Sequence, residues 1–157
     1  MSNTPNLLYL AGHFTLGELT ASDWALRLGI DNTAPTAVLA NLRRTAGVLE
    51  QIRALTGVPL MVSSGYRCLA LNRALKSADT SAHVQGLAAD FTAPPLDCRS
   101  LAERIVASDI AFDQCILEFG AWVHLGVAPS GSAPRREVLT AERVNGKTVY
   151  TRGLKGT

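Results

Sequence analysis

The ten residues from Ser81 to Asp90, S-A-H-V-Q-G-L-A-A-D, constrain this chain more than any other stretch. They hold an imidazole, His83, and a carboxylate, Asp90, in a segment otherwise built from small and apolar residues, with Gly86 between the two. Neutral imidazole nitrogen and carboxylate oxygen are ligand types that zinc accepts. A catalytic zinc takes three protein ligands and keeps one open position. The third ligand is supplied downstream by Trp122-Val123-His124. The reading is a zinc site of His83, Asp90 and His124, and any fold of this chain must bring His124 back against the first motif.

Composition sets the frame for that site. A chain of 157 residues suits one domain that buries its own core. We expect a single domain over 1–157, with its core at about 14–127 and a C-terminal β-hairpin at about 137–152. With 47% hydrophobic and 18% charged residues the chain reads as globular. A formal charge of +2 argues against nucleic-acid binding, although a mild basic bias suits an anionic polymer. Cys68, Cys98 and Cys115 are odd in number and lack C-x-x-C spacing, so they read as reduced core thiols. Residues 1–6 show neither a basic start nor a long apolar run, and no stretch reaches membrane-spanning length. The expectation is a monomer made in the cytoplasm, without a signal peptide and without stable membrane association.

The remaining pattern gives the elements. Thr15 and Glu18 match a capping box, and Ser22 caps a second short helix that Gly29 closes. Thr36 begins the longest helical pattern, with Val38, Leu42, Leu49, Ile52 and Leu55 on one stripe and Gly57-Val58-Pro59 as the stop. Residues 60–64 read as a short buried strand, and residues around 69–75 as a helix. Lys76 to Thr80 reads as an exposed loop. A strand over 86–91 carries Asp90 at its end, and a second amphipathic helix follows Pro94-Pro95. Residues 113–119 and 122–127 form a hairpin that brings Glu118 and His124 towards one end of the sheet. Asn145-Gly146 is a type I′ hairpin turn, and the tail from Gly153 reads as frayed. His13, far from any ligand spacing, reads as a surface or structural residue.

The pattern S-x-H-x-x-G-x-A-x-D followed by W-x-H resembles the M15 family of zinc peptidases, in its D-Ala-D-Ala carboxypeptidase-like branch. The resemblance runs from near Phe14 to about Val127. It implies an α+β fold shared with the Hedgehog signalling domain: a small antiparallel sheet carrying the zinc site, with helices packed on it. Zinc polarises a carbonyl and lowers the pKa of water from 15.7 to about 7, so amide hydrolysis is the natural reaction.

Hydrolysis needs a general base. In many M15 relatives an acidic residue lies three positions before the last His, where this chain has Ala121. Glu118 matches instead the E-x-x-x-W-x-H spacing of one branch, and the base role is carried to it; Asp113 is the second candidate. Arg67, in Ser64-Gly65-Tyr66-Arg67, resembles the family arginine that contacts a substrate carboxylate or carbonyl, as a planar cationic fork is suited to do. Ser81 resembles a position that hydrogen-bonds near metal or substrate. Tyr66 either lines the pocket or packs, Trp122 is a core or cleft-wall aromatic, and Asn72 braces the adjoining loop.

The resemblance implies a zinc peptidase acting on peptidoglycan stem peptides, first as a phage or prophage endolysin endopeptidase released by a holin or lysis. A zinc D-Ala-D-Ala carboxypeptidase is the second reading. A zinc-bearing Hedgehog-like binding module without catalysis is the third.

Overall fold

A computed structural model describes residues 7–155 of the chain. The reading of residues 1–6 as lacking a leader lies outside the described residues.

The chain opens with a small antiparallel pair, β1 (Tyr9–Ala11) and β2 (Phe14–Thr15). Two short helices follow, α1 (Leu16–Thr20) and α2 (Asp23–Leu28). Thr15 closes the capping box with Glu18, and Ser22 and Gly29 cap α2 as their residue types predict. The long helix α3 (Thr36–Thr56) buries Leu42, Leu49 and Ile52 completely and ends at Gly57. Leu55, placed on the same stripe by spacing, is 41% exposed.

Six strands then form the main sheet: β3 (Met61–Ser64), β4 (Ala88–Thr92), β5 (Gln114–Glu118), β6 (Trp122–Gly126), β7 (Glu137–Val144) and β8 (Lys147–Arg152). Between β3 and β4 lie α4 (Leu69–Ala74) and a 3-10 turn at Ala82–Gln85; between β4 and β5 lies α5 (Cys98–Ala107), capped by Asp97. The strand order is β3-β4-β6-β5-β7-β8. All pairings are antiparallel except β5 with β7, which is parallel. The α+β expectation holds, and the sheet is larger than foreseen because the C-terminal hairpin extends it. Asn145 and Gly146 both take positive φ, at 50° and 76°, as a type I′ turn requires.

Period-two alternation divides the sheet into two functional faces. Ala89, Phe91, Cys115, Leu117, Val123 and Leu125 point one way, into the core that α3 and α5 cover. Asp90, His124, Ile116 and Glu118 occupy the alternate positions. β3 is an edge strand with Met61 62% exposed, not a buried one, since only β4 pairs with it. Asp90 sits at the middle of β4, not at its end, flanked on both sides by paired strands. The tail is pinned through Lys155: the Thr140 hydroxyl donates to the Gly153 carbonyl and accepts from the Lys155 amide. No described helix is long and apolar enough to cross a membrane. None of the three cysteines is disulfide-bonded; Cys98 and Cys115 are buried, and Cys68 is half-buried.

Candidate metal centre and active site

Sheet register assembles the site. Asp90 on β4 lies directly opposite His124 on β6, which in turn lies opposite Ile116 on β5. Directly opposed residues share a face, so this pairing delivers a carboxylate and an imidazole side by side. His83 arrives from above the sheet. Ser81 caps the 3-10 turn by accepting the His83 amide (3.3 Å), and Gly86 closes the turn at φ +72°. A Cβ at residue 86 would meet Leu42 Cγ at 3.1 Å and the Val38 carbonyl oxygen at 3.3 Å, so the turn seats directly on α3.

Three ligand atoms, one each from His83, Asp90 and His124, lie within 4.8 Å of one another. His83 Nε2 is 3.3 Å and His124 Nδ1 2.8 Å from Asp90 Oδ1. Two ligands bound tetrahedrally at 2.0–2.1 Å sit roughly 3.3 Å apart, so the set is close to the spacing a metal imposes. The protons agree with that reading. His83 Nδ1 donates to the Gly65 carbonyl (2.7 Å), and because a carbonyl only accepts, Nε2 keeps its lone pair for the site. Burial pushes the His83 pKa down, against the pull of Asp90, so the ring is neutral. Burial alone would raise the Asp90 carboxyl. The surrounding imidazoles override it and hold Asp90 well below the ordinary carboxylate range. Neutral imidazole and ionised carboxylate are the forms that bind metal. The set offers three ligand atoms and borders a cleft from which a fourth ligand could come.

That cleft, about 600 Å³, is lined on one side by the loop after α4 and on the other by residues of β5 and β8, with the triad at its floor. Glu118 lines it, one strand from His124 and opposite Trp122. Burial raises its pKa and the Asp90 charge adds to that, while His124 and Arg67 oppose it. Arg67 is tightly held: Nη2 donates to Asp90 Oδ2 (3.2 Å) and Nε to Ser64 Oγ (2.9 Å). It thus balances the carboxylate oxygen turned away from His124 while its guanidinium borders the cleft. Ser81 also lines the cleft. Asn72 is fully buried and donates to the Ala78 carbonyl (2.8 Å), bracing the loop.

Two expectations are corrected. Tyr66 does not line the cleft; it is only 6% exposed and packs in the core, where its backbone amide and carbonyl bind the Leu19 carbonyl and Asn32 side chain. Asp113, the second candidate base, is neutralised by bidentate pairing with Arg135 (2.8–3.1 Å) outside the cleft lining. Gly65 carried no role in the sequence beyond its place in Ser64-Gly65-Tyr66-Arg67. Its carbonyl fixes the His83 tautomer, and a Cβ there would lie 2.4 Å from the Leu19 carbonyl oxygen. Thr148 and Tyr150, in the cleft lining, carried no motif that could have singled them out.

A largely buried His–Asp–His set bordering a cleft, with a carboxylate of raised pKa in the same cleft, is the constellation of a metal-dependent hydrolase. The family model described as Peptidase M15 matches residues 12–126, and the chain belongs to that family of metal-dependent peptidases. No curated protein matches the chain.

Proposed function

We propose that this protein is a zinc metallopeptidase that hydrolyses amide bonds within peptidoglycan stem peptides, acting as a phage or prophage endolysin that reaches the wall through a holin or lysis. The observation that carries the proposal is the placement of half-buried Glu118 in the same cleft as His83, Asp90 and His124. His83 Nε2, an Asp90 oxygen and His124 Nδ1 would hold the metal. Zinc suits this nitrogen-and-oxygen set, and when bound it polarises an amide carbonyl and brings water's acidity near neutrality.

Glu118 takes a proton from water and returns it to the leaving amine. Its raised pKa fits both halves of that task, because a base that must later act as an acid works best near the working pH. Arg67 orients Asp90 and offers the remaining guanidinium edge to a substrate carbonyl or carboxylate. Lys76 at the cleft wall favours a peptide bearing free carboxylates, as stem peptides do. The cleft crosses several strands, which suits an internal bond more than a chain terminus.

Mass spectrometry of purified peptidoglycan after digestion, with a chelator-treated control, tests this. Chelator-sensitive products with the masses of an internal cut are expected. Release of terminal D-Ala alone would make the protein a carboxypeptidase. No products from several wall chemotypes, with metal bound, would make it a binding module.

A further inference from the structure

The stretch matched to the family ends at residue 126, yet residues beyond it reach the catalytic cleft. β7 joins β5 with Ala141 opposite Glu118, and β8 joins β7 with Tyr150 opposite Ala141. On the other side Glu118 faces Trp122. Trp122, Glu118, Ala141 and Tyr150 therefore form one row across four neighbouring strands, on the face that carries the metal ligands. The small residue in that row, Ala141, is fully buried, as expected of a methyl group flanked by two longer side chains. Tyr150 itself stays 54% exposed, with Thr148 beside it in the cleft wall. Its neighbour Val149 belongs to the opposite face by strand alternation.

The phenol is poised as a donor. Burial, and then the charges of Glu118 and Asp90, push its pKa above the ordinary range, so it keeps its proton at neutral pH. Among the described residues no hydrogen bond engages the hydroxyl. An exposed tyrosine on a hairpin is ordinarily a surface residue. This one shares a row with the candidate base and lines the same cleft.

We propose that Tyr150 is a substrate-positioning residue, whose hydroxyl donates a hydrogen bond to a carbonyl oxygen of the peptide bound along the Glu118 side of the cleft. The hairpin is then a specificity wall that lies outside the region matched to its family. The proposal rests on the peptidase reading above.

Steady-state kinetics of the metal-loaded full chain on soluble stem-peptide fragments of peptidoglycan test it. Tyr150→Phe keeps the ring and removes only the hydroxyl. It should raise KM about three- to ten-fold, the size of one neutral hydrogen bond, with kcat within two-fold and metal content and Tm unchanged. Tyr150→Ala should raise KM further, and Val149→Ala should leave both constants alone. Unchanged KM in both Tyr150 variants, with the wild type active, overturns the role of Tyr150 and leaves the peptidase intact. A metal-loaded wild type inactive on every wall fragment overturns both readings together.

Discussion

Asp90 is the residue on which the site turns, since it touches both histidines and Arg67 at once. Replacing it or His83 with Ala removes a ligand and leaves its partners without their charge or proton acceptor. Both variants should lose metal and activity together, as read by elemental analysis and peptide release; stoichiometric metal in both would refute the assignment. Glu118→Gln should keep the metal and lose turnover by about 10²–10⁴-fold, because it removes proton transfer and no ligand. The pH profile carries a sign. Glu118 must be ionised to accept a proton, and its pKa is raised, so activity should fall on acidification at a pH above the ordinary glutamate range. Asp113 behaves oppositely: hydrogen bonds from Arg135 hold its pKa down. Its stabilising contribution is complete above the unfolded carboxylate pKa and disappears as pH falls through the folded value. Asp113→Asn should thus lower Tm at pH 7, lower it less near pH 3, and leave turnover within a few-fold. The grouping of His83, Asp90 and His124, and the position of Glu118 in the same cleft, were legible because each sits in a spaced motif. Tyr66 was misplaced because S-G-Y-R fixes residue type and not which side of the chain faces the core.

At the scale of elements, two glycines place His83. Gly86→Ala forces an L residue into a left-handed conformation against Leu42, and should cost about 1–3 kcal/mol with a lower Tm in thermal melts. Gly65→Ala is more severe in kind, because the obstacle is the rigid Leu19 backbone and the displaced carbonyl is the one that orients His83. It should weaken metal affinity as well as stability, measured by titration with a competing chelator. Caps and long stripes were readable from local chemistry: the Thr15–Glu18 box, the Gly57 stop and the Asn145-Gly146 turn all form where their residues predict. The edge position of β3 and the parallel β5–β7 pair were not. Nothing local distinguishes an edge strand of mixed polarity from a central one, and a parallel pairing is decided by the path of the intervening chain.

At the scale of the whole molecule, one face of the sheet is spent on the core beneath α3 and α5 and the other on the cleft. A metal that binds the folded chain and not the unfolded one would couple the two. Saturating zinc should raise Tm and chelator should lower it, by an amount equivalent to about 2.7 kcal/mol when zinc exceeds its dissociation constant a hundredfold. Differential scanning calorimetry with and without chelator measures it.

The two-faced sheet also makes strand registry all-or-none. His124 and Val123 are adjacent, one in the site and one in the core. A slip of β6 by a single residue would exchange them, burying an imidazole among Phe91 and Leu117 of the flanking strands and offering a valine to the metal. Metal capture during refolding should therefore report on register: a chain that regains β-sheet content with β6 slipped by one residue would lack the His124 ligand and bind metal weakly.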